Sequence, residues 1–282
     1  ATERGQTERW GNLGQPESRQ FWCSLLAEAT GTLIFVWIVL GASSPAKDVL
    51  PTSLQPALAA GLVAISLAHC FGKISGAQVN PAITMAFLCT RKLDALHASS
   101  YILAQCLGAI LASGFFYLML PSSAIGQLVT KVKGNAGQAL GMELFSTFQL
   151  ALTIFAVEDH RRHELGEPAG ILAIGFSVIA GALAAWSPGG LRSMNPARSL
   201  GPAVITGFWE HHWVYWLGPI LGAVLAGVSY EFFFADSASR EKLVACLTCR
   251  DIEIVEAASM SRSSLSAAVQ AKSPDKEEHG TE

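Results

Sequence analysis

Charged residues are scarce in this sequence. Only 15% of its 282 residues are Asp, Glu, Lys or Arg, and 51% are hydrophobic, with a mean hydropathy of +0.38. A soluble domain carries about 25% charge. The net charge of -3 also lacks the basic excess that a nucleic-acid-binding surface requires. The composition therefore favours a lipid bilayer as the surroundings and excludes nucleic acid as a partner.

Groups that carry enzymatic chemistry are absent as well. The sequence has no nucleophile–base set, no phosphate-cradling glycine loop and no cluster of metal-ligand residues, so we expect neither an enzyme nor a cofactor or metal. Its six cysteines are scattered, which is typical of reduced packing residues rather than of a disulfide framework. Residues 1–19 are polar and do not resemble a signal peptide, so we expect the first apolar run to remain as a membrane span.

Six long apolar runs are present, and each is close to the ~20 residues that a helix needs to cross a bilayer. They predict an all-α membrane protein with spans at about 21–42, 54–72, 95–120, 137–157, 168–187 and 212–235. Residues 1–19 are predicted to be an N-terminal arm. Residues 236–282 are predicted to be a polar tail, with one amphipathic turn near 239–247.

Two Asn-Pro-Ala triplets stand outside these runs. They are Asn80-Pro81-Ala82 and Asn195-Pro196-Ala197, 115 positions apart. Asn favours the N-cap of a helix and Pro its first turn, so each triplet predicts a helix start. The apolar stretches that follow, to about 89 and 206, are too short to span a bilayer. Two half-length helices with their positive dipole ends at such starts are a known way to build a site at mid-membrane.

The same spacing recurs elsewhere and indicates an internal duplication. Glu28 and Glu143 are also 115 positions apart, and Gly108 and Gly222 are 114 apart. This predicts a channel domain at 20–235 made of repeat one, 20–135, and repeat two, 136–235. Because each repeat holds three spans, an odd number, the two must be inverted relative to one another, which places the site at their interface.

The distribution of basic residues predicts the orientation in the membrane. Five of the 19 lysines and arginines fall on one side, and the other fourteen fall on the side of the termini. The five are Lys47, Lys131, Lys133, Arg192 and Arg198. We therefore expect a multi-pass protein of the plasma membrane or of intracellular vesicles, with both termini in the cytosol.

Glu28 and Glu143 lie inside predicted spans, where a carboxylate is costly and should face the bundle interior. One interpretation is a proton relay. The other is a structural acceptor that braces the backbone leading into each half-helix, and we favour it because the two acids occur symmetrically and no histidine lies nearby in the sequence.

The paired triplets, the six spans and the inverted repeat closely resemble the aquaporin (major intrinsic protein) family over about 20–235. The resemblance implies a homotetramer in which each subunit has its own pore, lined partly by backbone carbonyls. It also implies that Arg198 is the arginine of the outer selectivity filter. The carbonyls implied are those of Gly76, Ala77, Gln78, Leu191, Arg192 and Ser193.

The same resemblance makes the filter atypical. Ala60 stands where a Phe is usual, Ala182 stands where a His is usual, and Arg192 precedes the second triplet where many members have a small residue or Cys. Ser199, Ala203, Tyr215 and Trp216 match water-conducting members rather than glycerol-conducting ones. If Arg192 points away, the pore is widened; if Arg192 or Trp186 leans in, it is narrow or gated.

Together these features predict a passive, osmotically driven water channel that excludes protons and ions and has a filter that could admit small neutral solutes. The alternatives are a channel mainly for urea, ammonia or hydrogen peroxide, and a structural or adhesive membrane protein with a closed pore.

Overall fold

The computed structural model describes residues 19–44, 52–119, 129–132, 134–159, 167–184, 193–235 and 237–248. The chain divides into two compact units, Ala1–Tyr230 and Glu231–Glu282. Every regular element among the described residues is helical, so the predicted all-α class is confirmed.

Six long helices follow the predicted apolar runs: α1 Arg19–Ser43, α2 Leu54–Ser75, α4 Ala95–Met119, α5 Ala136–Glu158, α6 Glu167–Leu183 and α8 Val214–Ser229, the last continued by a π-helical turn at Tyr230–Phe234. Five of these stretches are long and apolar enough to cross a membrane, and α6 is a shorter apolar helix. Residues 185–187, at the predicted end of that span, lie outside the described residues.

Two short helices complete the first unit. They are α3, Pro81–Cys89, with 9 residues, and α7, Pro196–Thr206, with 11 residues. At 1.5 Å per residue their summed length is about 30 Å, the thickness of the hydrocarbon core. Neither helix can span a bilayer alone, but the two placed tip to tip can.

Glycines allow the long helices to approach at matching places in the two halves. A Cβ on Gly108 of α4 would lie 2.2 Å from the carbonyl oxygen of Ala29 in α1, and a Cβ on Gly222 of α8 would lie 2.2 Å from that of Leu144 in α5. These two helix pairs are thus packed backbone against backbone, with no room for a methyl group between them. The α1–α4 and α5–α8 crossings therefore repeat one another.

In the crossing of α2 with α6, the two helices use equivalent glycines, each of which faces the backbone of the other helix. A Cβ on Gly61 would lie 2.5 Å from the carbonyl oxygen of Gly175, and a Cβ on Gly175 would lie 2.8 Å from that of Gly61. The half-helices are also exchanged between the two halves of the chain, because α3 packs against α8 while α7 packs against α4. Such reciprocity is the arrangement expected when two similar halves face each other about a common axis.

Two helix ends differ from the prediction. The sequence predicts the second span at about 54–72, but α2 continues to Ser75 and is capped by Gly76, whose φ of +87° is the left-handed conformation typical of a C-terminal glycine. It predicts the last span from about 212, but α8 begins at Val214 because residues 210–213 form a turn in which His211 has a φ of +50°. Both differences come from left-handed backbone that a count of apolar residues does not detect.

The second unit contains helix α9, Arg240–Leu247, where an amphipathic turn was predicted. Its N-cap is Ser239, whose hydroxyl accepts the Lys242 N–H at 3.1 Å. The Lys242 ammonium donates to Glu231 Oε2 at 2.6 Å and to Ser237 Oγ at 3.1 Å. An ion pair and a hydroxyl thus hold the start of this helix to the segment before it.

The close crossings predict a strong effect of a single methyl group. In Gly222→Ala, the new Cβ would meet the Leu144 carbonyl at 2.2 Å, so α5 and α8 must separate. We expect a loss of about 1–3 kcal/mol, the usual range for overpacking, seen as a lower midpoint of thermal unfolding in detergent.

Gly141→Ala is the matched control, because Gly141 lies within α5 and nothing stands within 4 Å of its added Cβ. We expect this variant to be neutral or slightly stabilised, since Ala loses less conformational entropy than Gly in a helix. Equal unfolding midpoints for the two variants would contradict the packing described for α5 and α8.

Candidate functional site

Both Asn-Pro-Ala triplets begin a half-helix. Asn80 Oδ1 accepts the Ala82 N–H at 2.9 Å, and Asn195 Oδ1 accepts the N–H of Ala197 at 3.0 Å and of Arg198 at 3.4 Å. A proline follows each asparagine at the first helical position. The helix starts predicted from Asn and Pro are therefore confirmed, and each asparagine oxygen is committed to its own helix.

The amide nitrogens of the same two asparagines cross between the half-helices. Asn80 Nδ2 donates to the carbonyl oxygen of Met194 at 2.9 Å, and Asn195 Nδ2 donates to that of Val79 at 2.8 Å. The two bonds are reciprocal, since each asparagine binds the residue that precedes the other. They bring the N-terminal ends of α3 and α7 into direct contact.

The residues that receive these bonds have an unusual backbone. Val79 has a φ of +42° and Met194 a φ of +49°, in the left-handed region that non-glycine residues, and β-branched ones above all, rarely adopt. Such a conformation persists only where its surroundings fix it, and it is commonly found at functional sites. Here it turns the two carbonyls toward the opposite asparagines.

Glu28 fixes the backbone ahead of the first half-helix. Its carboxylate is buried and accepts four hydrogen bonds: from Ser75 Oγ at 2.6 Å, from the Gln78 N–H at 3.0 Å, from the Val79 N–H at 2.7 Å and from Gln105 Nε2 at 2.8 Å. All four partners are donors, so both carboxylate oxygens are used as acceptors. The cost of burying Glu28 is thus offset by hydrogen bonds, one of which comes from Val79, the residue with the left-handed backbone.

Glu143 stands in the same relation to the second half-helix. Its buried carboxylate accepts the Ser193 N–H at 2.9 Å and the Met194 N–H at 2.8 Å. Met194 is the counterpart of Val79, because each precedes an asparagine of a triplet. The N–H of either residue is therefore bound by a glutamate and its carbonyl by an asparagine.

A chain of polar side chains extends the first network through Gln105 and Thr84, two residues that the sequence analysis did not single out. Gln105 Nε2 donates to Thr84 Oγ1 at 3.0 Å as well as to Glu28, and Thr84 Oγ1 donates to Gln78 Oε1 at 2.6 Å. The sequence feature that could have indicated this chain is the presence of two polar residues, Thr84 and Gln105, inside apolar runs. Through this chain Gln78, two residues before Asn80, is connected to both α3 and α4.

Arg198 is the most unusual buried residue of the site. It is only 1% exposed, and none of its three guanidinium nitrogens has a hydrogen-bond partner among the described residues. A guanidinium carries five N–H donors, and leaving them unmatched in a buried place is costly. The side chain therefore presents unused donors and a positive charge close to the start of α7.

The two alanines predicted for the filter are small and close to the half-helices. Ala60 is buried in a cluster that includes Met194 and Ala197, and Ala182 packs against the same cluster. Gly181, beside Ala182, lies so near that an added Cβ would be 2.6 Å from the Met194 sulfur. Leu191 and Arg192, like Trp186, lie outside the described residues, so their predicted roles stay predictions.

The family model of the major intrinsic proteins matches residues 15–230, which is most of the chain. The chain belongs to the major intrinsic protein family. The resemblance seen in the triplets and the repeat is thereby confirmed. As a major intrinsic protein, the chain is a multi-pass membrane protein and a channel, not an enzyme.

Several relatives of this major intrinsic protein are named aquaporins. Aquaporin-4 of Rattus norvegicus is 47% identical over 247 residues, 80% of this chain and 76% of the relative. Aquaporin-5 of Homo sapiens is 45% identical over 230 residues, 79% and 86% of the two chains. Aquaporin-2 of Bos taurus is 43% identical over 213 residues, 74% and 78%.

A solved structure shares the fold. The X-ray structure of the aquaglyceroporin from Plasmodium falciparum matches with a TM-score of 0.64 at 20% sequence identity, covering 73% of this chain and 94% of that one. At this identity the likeness supports the architecture of this major intrinsic protein and not its solute.

A histidine in the turn before α8 has a defined protonation state. The indole Nε1–H of Trp216 donates to His212 Nε2 at 3.1 Å, and the Trp209 ring stands edge-on with its centroid 5.0 Å away. Because Nε2 accepts this bond, the imidazole is neutral with its proton on Nδ1. Burial lowers the pKa of His212 below its ordinary value of 6.5.

The lowered pKa predicts a loss of stability in acid. Above pH 6.5 His212 is neutral in both the folded and the unfolded chain. As the pH falls from 6.5 through the lower pKa of the folded state, the unfolded chain binds more protons and the free energy of unfolding decreases. We expect the thermal unfolding midpoint to drop between pH 7.5 and 5.5, and to drop less in His212→Gln, which keeps an acceptor for Trp216 but cannot titrate.

His211→Gln is the control, because His211 is an exposed neighbour with 43% of its side chain accessible. We expect it to lose as much stability in acid as the unmodified chain. A His212→Gln variant with the same acid sensitivity as the unmodified chain would contradict this account of His212.

Proposed function

We propose that this chain is a passive water channel that follows osmotic gradients and excludes protons and ions. The observation that carries the proposal is the reciprocal pair of bonds between Asn80 and Met194 and between Asn195 and Val79. It joins the positive ends of two half-helices where two donor-bearing carboxamides meet. In a pore that passes this point, the N–H donors bind the oxygen of a water molecule, whereas the positive potential repels a cation.

The asparagines supply the donors. Each Nδ2 has two N–H groups, and one of them is used in the crossing bond. The second N–H of each is available to a passing water, whose oxygen then turns toward both half-helix ends. Its two hydrogens point away along the pore in opposite directions, which interrupts the hydrogen-bonded chain that proton transfer requires.

The half-helix dipoles add a field of the same sign. Each helix N-terminus carries the equivalent of about half a positive charge, and two of them meet at the asparagines. Arg198 adds a full charge with unmatched donors on the α7 side. A cation moving through the pore would face positive potential at both places, whereas a neutral water finds donors for its oxygen.

The remaining predicted site residues form the path in this proposal. Carbonyls of Gly76, Ala77 and Gln78 on one side and of Leu191, Arg192 and Ser193 on the other would replace the hydration that a water loses. Ala60, Ala182, Arg192 and Arg198 form the filter. We infer that Glu28 and Glu143 are structural rather than proton-relaying, since each carboxylate accepts backbone N–H groups just ahead of a half-helix.

The placement in the cell and the assembly are also proposals. The excess of Lys and Arg on the side of the termini supports a cytosolic location for both ends, in the plasma membrane or a vesicle membrane. We further infer the inverted repeats 20–135 and 136–235, which the matched glycine crossings support, and a homotetramer with one pore in each subunit.

Osmotic shrinkage of proteoliposomes tests the function. We expect vesicles holding the purified chain to shrink faster than protein-free vesicles after a hyperosmotic jump, with a low activation energy because water crosses through a pore. A pH-sensitive dye inside the same vesicles should show no added proton leak. Shrinkage no faster than in protein-free vesicles would reject the water channel; the closed-pore structural protein would remain only if the vesicles also take up no urea.

A second candidate function, conduction of small neutral solutes such as urea, ammonia or hydrogen peroxide, is favoured by one observation. Two of the predicted filter positions, Ala60 and Ala182, carry only a methyl group, and both adjoin the cluster that contains Met194 and Ala197. A filter with such walls leaves more room beside Arg198 than one lined by rings. Urea uptake without fast shrinkage in these vesicles would make the solute the main cargo.

The size of the side chain at Ala182 should therefore control solute passage. In Ala182→His the imidazole would occupy part of the proposed filter, and we expect urea flux to fall several-fold relative to water flux. The readout is the ratio of urea uptake to osmotic shrinkage in the same vesicles. Ala184→His is the control, because Ala184 is an exposed position just after the same helix. An unchanged ratio in Ala182→His would remove Ala182 from the filter.

A further inference from the structure

The segment 129–132, in the connection between α4 and α5, turns inward although it belongs to no helix. Val129 is 4% exposed and Thr130 is 2% exposed, whereas connecting segments normally run over the surface. Lys131 is exposed and places its Nζ 5.0 Å from the centroid of the Phe208 ring. Phe208 follows the end of α7, so this segment is attached to the region of the second half-helix.

Thr130 begins a chain of hydroxyl groups that ends at the second triplet. Thr130 Oγ1 donates to Ser199 Oγ at 2.9 Å, Ser199 Oγ donates to Ser193 Oγ at 2.6 Å, and Ser193 Oγ donates to the Asn195 carbonyl at 2.5 Å. All four residues are buried. Each hydroxyl donates once, so the chain has a single direction that starts at Thr130.

The chain of side-chain hydrogen bonds that leads to each half-helix starts in a different kind of segment in the two halves. In the first half, the chain through Thr84 to Gln78 starts at Gln105 in a membrane-spanning helix. In the second half, the chain through Ser199 to Ser193 starts at Thr130 in a connecting segment. Besides its packing against α4 and the bond from Asn195 to Val79, α7 is thus also held by a segment that is not part of the helix bundle.

This dependence matters for Arg198, which precedes Ser199 in the first turn of α7. Its guanidinium has no hydrogen-bond partner among the described residues. Its backbone lies in a helix turn that is held by the Asn195 cap at Arg198 and by Thr130 at Ser199. A shift of that turn would move the positive group of the filter.

We propose that Thr130 is a positioning residue that sets solute selectivity by holding Ser199, and with it Arg198, in place. The inference rests on the proposed function, because it assigns Thr130 to the same pore. Loss of the Thr130 hydroxyl removes one of the bonds that hold the first turn of α7, and the filter then widens next to two alanines. Solutes larger than water gain more from that widening than water does.

Two substitutions separate the hydroxyl from the shape of the side chain. Thr130→Val keeps the branched shape and removes the donor, whereas Thr130→Ser keeps the donor and removes a methyl group. In proteoliposomes with equal amounts of folded channel, we expect Thr130→Val to raise the ratio of urea flux to water flux roughly threefold or more, within the effect of one hydrogen bond. Thr130→Ser should keep the ratio of the unmodified chain.

Lys131→Ala is the matched control within the same segment. It removes the contact with Phe208 and leaves the hydroxyl chain intact, so we expect an unchanged ratio. Ser199→Ala tests the bond from its other end, and it serves as the test if Thr130→Val fails to fold. It should raise the ratio as well, and the double variant Thr130→Val, Ser199→Ala should raise it no further than Ser199→Ala alone.

The outcomes are distinct. An unchanged ratio in Thr130→Val, an equal shift in Thr130→Ser or Lys131→Ala, or additive shifts in the double variant would each overturn the positioning role while leaving the water channel standing. If Thr130→Val does not fold, an unchanged ratio in Ser199→Ala overturns it. An unmodified chain that conducts no water rejects the proposed function itself, and the inference about Thr130 is then rejected with it.

Discussion

The fold depends on two hydrogen bonds that join the half-helices through their asparagines. Each carboxamide binds its own helix with its oxygen and the opposite chain with its nitrogen. A Leu at either position would lose both bonds and an Asp would lose the donated one, because an amide combines the acceptor and the donor in one planar group. Two helices of 9 and 11 residues thereby act as one element of membrane-spanning length.

The backbone ahead of each half-helix has N–H groups that need partners inside the membrane. The glutamates provide them, since a buried carboxylate from α1 or α5 accepts the N–H groups just ahead of each half-helix. In a bilayer every backbone polar group must be satisfied within the protein, and these acids serve backbone that no helix can satisfy. The positive φ of Val79 and Met194 is the conformation in which glutamate and asparagine can bind the same residue from two sides.

Much of this arrangement follows from residues that are adjacent in sequence. An Asn-Pro pair determines a helix start locally, and a repeat spacing of 114–115 positions aligns Glu28 with Glu143 and Gly108 with Gly222 without any knowledge of the fold. The bonds from Gln105 to Thr84 and from Thr130 to Ser199 could not be predicted in this way. They join segments 21 and 69 positions apart, and a threonine in a polar connection carries no signal that distinguishes it from its neighbours.

The proposed division of labour in the pore follows from where the duplication holds and where it fails. Both halves have an Asn-Pro-Ala triplet and a glutamate that binds the backbone ahead of it. In this proposal the field where the half-helices meet is therefore nearly symmetric and repels a cation from whichever side it enters. Away from that point the match ends. The counterpart of Arg198, 115 positions earlier, is Ile83, which is equally buried but uncharged. In this proposal charge exclusion rests first on what the halves share, and Arg198 adds a positive charge at the filter. Discrimination among neutral solutes rests on Arg198, Ala60 and Ala182, three residues that are not repeated between the halves. A change in solute range can then evolve at the filter without disturbing the asparagine pairing that holds the fold together.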